Sequence, residues 1–376
     1  KHSMVKSIFI LLLLAFQLSL CGQQSREQYL VIGTYTSGKS EGIYVYKFNT
    51  ETGANSFVSS VKTSNPSFVA ISPDKKFVYA VNEDDPGHVT AFSFNKANGQ
   101  LTQLNQQPSH GKHPCYITID KNGKWVIVGN YSSGTVAVYP VKKDGSLGNT
   151  TDTVLHEGSS VDSERQETAH VHATVLNKNN KTLYVPDLGM DKVMLYHLDN
   201  KTGRLKEFST PFVMTEAGAG PRHIDLHPNG KYAYLMEELT GTVSVYSIEK
   251  DGDLSLIQNV SGLPGDFTGA VGSADIHVSP DGKFLYCSNR GESNTIAIFS
   301  INPSNGQLFG IDHQSTLGKT PRNFNFDPTG NFLLVANQNS DEIVIFSRDK
   351  ETGLLTDTGQ RINVSTPVCL KWIPVE

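Results

Sequence analysis

A handful of side chains in this chain could do chemistry: His172, Arg222, Glu238, Arg290 and Arg322, with His223, Asp275, His277 and Asn323 close to them in register. Arginine presents a planar fork of donors that suits carboxylates, phosphates and carbonyl oxygens. In a chain of net charge −5, three arginines gathered at one place need anionic partners, because a desolvated guanidinium is costly alone. Two readings stay open for them: neutralisation by Glu238, Asp225 and Asp275, or the holding of an anionic or carbonyl-rich ligand. Glu238 and His172 are the candidates for proton transfer. His170-Val171-His172 sets two imidazoles on one strand face, but no two-histidine-plus-carboxylate spacing accompanies them, so no catalytic metal is expected. Gly33–Ser40 matches the phosphate-loop string and Gly38–Gly42 the Gly-x-Ser-x-Gly string, but both run into the strand-like segment Gly42–Phe48 rather than a helix, and the chain has no dinucleotide fingerprint or Cys-x-x-Cys pair. A covalent serine mechanism therefore has no support, and no cofactor is expected.

The elements that must position these groups come from a repeat. Each copy reads Pro-x-x-apolar-x-apolar, then Pro-Asp-Gly-Lys or a relative, an apolar run ending in Asn or an acid, and a Val-x-Val-Tyr-like strand. Clear copies are Pro66–Phe94, Pro114–Pro140, Pro221–Ile248, Ser273–Ile301 and Pro321–Ser347, with a degenerate one at Val171–Leu198. The last copy is split: Pro367–Ile373 has only the first strand and Tyr29–Phe48 only the later ones. A period of roughly 50 residues with about four short strands per copy indicates an all-β, seven-bladed propeller. The split copy predicts a ring closed by pairing of the C-terminal strand with N-terminal strands.

Within a copy, the strand that starts at Pro and the strand after the Asp-Gly turn form an antiparallel hairpin. The start of the first and the end of the second therefore lie at one mouth of the channel in every blade. The first position after Pro holds His172, Arg222 and Arg322; the second and fourth hold His223, Asp225, Asp275, His277, Asn323, Asn325 and Lys371. At the end of the second strand one slot is almost always a short polar residue (Asn82, Asn130, Asp187, Glu237, Asn289, Asn337), suited to bonding local backbone. The next slot has no common type: Glu83, Tyr131, Leu188, Glu238, Arg290, Gln338. By this register Glu237 is scaffold, and Glu238 is the functional candidate.

Scattered Lys and Arg with no basic stripe make nucleic acid an unexpected partner. Residues 1–24 read as a tag remnant (Lys1–Ser3) followed by a secretory or lipoprotein signal peptide, with Lys6 ahead of the apolar stretch Ile8–Phe16. Leu18-Ser19-Leu20-Cys21-Gly22 resembles a lipoprotein box, departing from it at Leu20, so a membrane association would run only through a lipid on Cys21. An exported protein, periplasmic or anchored to the envelope, is expected. Residues 25–376 read as one propeller domain, of open oligomeric state. Cys115, Cys287 and Cys369 fall on apolar strands and read as buried free thiols. The insertion Gly148–Ala169 is polar and reads by default as a mobile surface loop, with a lid over the site as the open alternative.

The segments Gly218-Ala219-Gly220-Pro221-Arg222-His223, Glu237-Glu238-Leu239, Ala274-Asp275-Ile276-His277 and Pro321-Arg322-Asn323-Phe324-Asn325 resemble the seven-bladed lactonase family, the propeller type of 6-phosphogluconolactonase, related to fungal carboxy-muconate lactonising enzymes. The resemblance implies a catalytic set of His172, Arg222, Glu238 and Arg290, with Arg322, His223, His277, Asn323 and Asp275 as substrate-binding residues. It implies a small sugar lactone as ligand, opened by general-base attack of water without metal or covalent intermediate. Glu238 or His172 would activate the water, Arg222 and Arg290 would stabilise the oxyanion, and Arg322 would hold the acid or phosphate end. An export signal sits poorly with a cytoplasmic pentose-phosphate substrate, which points to an unphosphorylated aldonolactone as an option. The rivals are an exported, non-catalytic binding module using the same mouth and the reverse cyclisation of an unsaturated diacid.

Overall fold

The computed structural model describes residues 26–375; residues 1–25, with the expected leader and Cys21, and Glu376 lie outside the described residues. Short apolar strands, most often of six residues in the inner two positions of a blade, fold into seven four-stranded antiparallel sheets. Blades 2 to 7 follow the chain, from Val69–Ile71 to Leu355–Asn363. Blade 1 is assembled from both ends: Pro367–Pro374 is its inner strand and pairs antiparallel with Glu27–Thr34, from Gln28↔Pro374 to Thr34↔Pro367. The split repeat thus closes the ring as its sequence predicts.

No blade can bury two apolar faces alone, so the core lies between neighbours. Tyr234 and Met236 of blade 5 pack on Ile276 and Cys287 of blade 6; Tyr286 and Ile298 of blade 6 pack on Phe324 and Val335 of blade 7. Cys115, Cys287 and Cys369 are buried and free. The degenerate blade 4 keeps only Val175–Leu176 as its inner strand, helped by an isolated bridge from Val171 to Asp187.

The scaffold slot makes one hydrogen bond in blade after blade. The amides of Asn130, Asn289 and Asn337 donate to the carbonyls of Ser109, Gly262 and Thr316 at 3.0, 2.7 and 3.0 Å. Blade 5 breaks the pattern with Glu237, which is 2% exposed and whose carboxyl burial pushes up to about 7. The Ser244 hydroxyl lies 2.7 Å from Glu237 Oε1 and 2.8 Å from Asn259 Oδ1. One hydroxyl proton cannot serve both acceptors, so a protonated Glu237 donating to Ser244 satisfies the cluster. A carboxyl raised in the folded state carries no penalty below its ordinary value near 4.5 and a growing one up to about 7. Glu237→Gln is therefore expected to stabilise the protein by about 1–3 kcal/mol at pH 8 and by little at pH 4. Urea unfolding at the two pH values checks this; equal effects at both would refute the assignment.

Candidate active site

Two rings of positions meet at one mouth. In each blade the slot residue donates its backbone N–H to the carbonyl just ahead of the inner strand, as in Glu83→Asn65, Tyr131→His113, Glu238→Gly220, Arg290→Gly272 and, in blade 1, Tyr35→Thr366. That bond pins the second-strand end against the inner-strand start. A β-bulge then aims the first residue of the inner strand. The register shifts between Pro114 and Tyr116, between Pro221 and His223, and between Pro321 and Asn323, which leaves Cys115, Arg222 and Arg322 unpaired in the ladder. Bulges bend a strand and re-aim a side chain. Gly220, at φ +68, lets the chain turn into this bulge; a Cβ there would lie 2.7 Å from Leu239 Cγ.

The result is a cavity of about 200 Å3 lined by Tyr35, Glu83, Cys115, Tyr131, Arg165, His172, Glu238, Arg290 and Arg322. Clefts of similar or larger size lie elsewhere, but the one beside Phe68, Tyr116 and Lys371 and the one beside Asn177, Leu226 and Glu249 hold no arginine and no histidine.

Glu238 is the hub. Its Oε2 is 2.8 Å from Arg222 Nε and 3.0 Å from Arg290 Nη2, and its Oε1 is 2.6 Å from Arg165 Nη2. Burial pushes the carboxyl up, but Arg290, Arg222 and Arg165 outweigh it and hold the group far below the ordinary range. Arg222 is 1% exposed and bonds Ala274 O at 2.8 Å; burial, with Arg290 and Arg322 nearby, lowers it to about 10. Arg290 also donates to Gly272 O at 2.8 Å. His172 Nε2 stands 3.9 Å from Glu238 Oε2 and its Nδ1 3.6 Å from Cys115 Sγ. Burial, then Arg222, His223 and Arg322, keep this imidazole well below its ordinary value and so uncharged. On the far wall Tyr35 Oη donates to Glu83 at 2.9 Å, and Arg322 lies over the Tyr35 ring at 5.3 Å. Among the described residues Arg322 has no carboxylate within ion-pairing distance. Four guanidiniums thus face two carboxylates, and the pocket is set for an anionic or strongly carbonyl-like ligand.

The candidate residues fall into two layers. His172, Glu238, Arg290 and Arg322 line the cavity, and Arg222 braces Glu238 from below. His223, Asp275, His277 and Asn323 form a separate knot deeper in the channel: His223 Nδ1 and His277 Nε2 lie 2.8 and 3.0 Å from Asp275, and Asn323 donates to the same carboxylate. His170 is also outside the cavity, its ring stacked on Tyr131 at 4.4 Å. Among the described residues no three His, Cys, Asp or Glu side chains converge as metal ligands would.

Sequence reasoning did not select Tyr35, Glu83, Tyr131 or Arg165. Glu83 and Tyr131 occupy the same variable slot as Glu238 and Arg290, so the register carried their signal. Arg165 had none: it comes from the insertion Gly148–Ala169. That insertion is not the loose loop its composition suggests. Gln166 is fully buried and donates to Leu188 O and Asp191 Oδ1 at 2.9 and 2.7 Å.

A family model described as "Lactonase, 7-bladed beta-propeller" matches residues 29–372. The 6-phosphogluconolactonase of Bacillus subtilis is 40% identical over 345 residues, 91% of this chain and 97% of its own. That of Formosa agariphila is 39% identical over 345 residues, covering 89% and 97%. The solved structure of a periplasmic gluconolactonase from Pseudomonas aeruginosa superposes with a TM-score of 0.90 at 37% identity, over 93% of this chain and all of that one. The protein is a propeller enzyme of the carboxylic-ester hydrolase class. More narrowly, the chain belongs to the seven-bladed β-propeller lactonase family.

Proposed function

We propose that this protein hydrolyses a small sugar lactone in the Glu238 pocket, with water as nucleophile and neither metal nor covalent intermediate. One observation carries the reading: a carboxylate gripped by three guanidiniums beside an uncharged imidazole, in a cavity of monosaccharide size, with Arg322 facing in from the other wall. The names of the relatives support lactone hydrolysis.

Glu238 is a feeble proton acceptor, since its guanidinium partners stabilise the ionised form. His172 fits the base role better. It takes a proton from water as the oxygen attacks the lactone carbonyl, and returns it to the ring oxygen as the C–O bond breaks. Arg290 and Arg322 face the carbonyl oxygen and the acid end, where charge develops. Arg222 keeps Glu238 in place, and Glu238 in turn keeps the guanidiniums aligned and steadies the transient imidazolium.

Because His172 is held below its ordinary value near 6.5, it stays competent as a base in mildly acid solution. The expected kcat/KM is flat from pH 8 down to about 6, with the acid limb below the ordinary imidazole range. An acid limb at or above pH 6.5 would rule His172 out as the base. The deciding assay is indicator-based hydrolysis of 6-phosphogluconolactone and of unphosphorylated glucono-, galactono- and xylonolactone, with EDTA present. EDTA-resistant turnover is expected, and the relative rates identify the substrate; no turnover above background on any of them would favour a binding role. Export through the N-terminal leader belongs to this proposal. It is supported by the apolar stretch Ile8–Phe16 and by the periplasmic relative. No helix among the described residues is long and apolar enough to cross a membrane.

A further inference from the structure

Arg165 differs from the other guanidiniums around Glu238. Its side chain is 43% exposed, against 14% for Arg290 and 1% for Arg222, and it arrives on a loop rather than on a blade strand. The backbone beneath it is fixed. Asp162 Oδ1 accepts the N–H groups of Glu164 and Arg165 at 2.9 and 3.0 Å. Asp191, 1% exposed, accepts Ser160 Oγ and Gln166 Nε2 from the loop at 2.5 and 2.7 Å. It also accepts the N–H groups of Gly218 and Gly220, at 2.7 and 2.8 Å, from the turn that leads into Arg222. One buried carboxylate therefore joins the Arg165 loop to the Arg222 turn. The loop is thus tied at several points, while the Arg165 side chain itself is half-solvated.

That side chain holds one oxygen of the hub. Arg165 binds Glu238 Oε1, while Arg222 and Arg290 hold Oε2 from the protein side. It also lies close to the Tyr131 hydroxyl, whose ionised form it favours. A ligand with a phosphate or carboxylate group at the rim competes with Glu238 for this exposed fork, since both offer paired oxygens. A neutral ligand offers nothing comparable, and leaves the pair closed.

Building on the lactonase reading, we propose that Arg165 determines specificity: it exchanges Glu238 Oε1 for the anionic substituent of the substrate, and Asp191 is the positioning residue that holds it in reach. The test compares kcat and KM for 6-phosphogluconolactone and for glucono-1,5-lactone in wild type, Arg165→Gln, Asp191→Asn and the double variant. The ratio of kcat/KM, phosphorylated over neutral, is expected to fall about tenfold or more in Arg165→Gln, mainly through KM. Asp191→Asn should lower the same ratio, and the double variant should lower it no further than Arg165→Gln alone, because both act through one side chain. An unchanged ratio, with both lactones losing equally, overturns the proposal, and so does an additive loss in the double variant. Calorimetric titration with 6-phosphogluconate and with gluconate reads the same preference without turnover. Arg165-dependent binding of 6-phosphogluconate by a protein that hydrolyses neither lactone would sustain the role of Arg165 while refuting the hydrolytic reading.

Discussion

Glu238→Gln is expected to lower kcat/KM by about a thousandfold, the loss typical when a preorganised charge is removed from a reacting centre. The substitution keeps the shape of the side chain but removes the one negative charge that Arg222, Arg290 and Arg165 share at 2.8, 3.0 and 2.6 Å. Arg222, already lowered to about 10 by burial and its cationic neighbours, loses its counter-charge. The guanidiniums then repel and turn away, and His172 loses the carboxylate that steadies its protonated form. Leaving buried charges uncompensated also costs stability, about 3–5 kcal/mol for a broken buried pair. The circular dichroism spectrum and Tm must therefore be recorded beside the kinetics. A folded Glu238→Gln protein within about tenfold of wild-type kcat/KM would remove Glu238 from the mechanism.

The second large effect is structural. Asp275, 2% exposed, accepts N–H groups from His223 and His277 at 2.8 and 3.0 Å, from Asn323, and from the Phe324 backbone at 3.3 Å. Asn323 passes the link on, its Oδ1 accepting Leu370 N–H at 2.8 Å. One carboxylate thus ties the inner strands of blades 5, 6 and 7 together, and through Asn323 reaches the C-terminal strand that closes the ring. Asp275→Ala leaves these donors unsatisfied in the channel, and a loss of about 3–5 kcal/mol is expected, or a Tm lower by roughly 4–7 °C.

The pH dependence follows from the same knot. Burial opposes ionisation of Asp275, but His277 and His223 hold its carboxyl well below 3.8. Its contribution is present above that value and fades as pH falls through the lower folded-state value. Burial opposes the charge on His277 too, but Asp275 and Asp225 raise it above 6.5, so its contribution is full below 6.5 and fades as pH rises through the folded value. Wild type should gain most over Asp275→Ala between about pH 4 and 6.5, measured as the difference in unfolding free energy across pH. A large rise in KM with unchanged stability would instead make Asp275 a ligand contact, the role its family resemblance suggests.

Much of this was written in the chain. Glycine-bearing hairpin turns and period-two apolar strands recur at a near-constant interval, and a strand has only two faces, so the repeat alone specifies seven blades and their hairpins. The split last copy specifies how the ring closes, because an unpaired inner strand at one end and a headless blade at the other can only complete each other. Register separated Glu237 from Glu238: the scaffold slot bonds the preceding connection, and the next slot faces the mouth.

Depth and aim were left to the tertiary structure. Residues along an inner strand advance about 3.3 Å each, so Arg222 and Arg322 stand at the mouth. His223, Asp275, His277 and Asn323, one or more steps along, point into the channel and bond one another. The bulges that turn Cys115, Arg222 and Arg322 toward the cavity depend on where the ladder slips, and no residue type announces that. Arg165 is the extreme case: its loop is polar like any surface loop, and long-range contacts such as the buried Gln166–Asp191 bond, formed between segments 25 residues apart, bring it to Glu238. The chain by itself determined which ring forms and which positions face its mouth. Long-range packing decided which of those side chains meet, because hydrogen bonds between distant segments leave no periodic trace in the sequence.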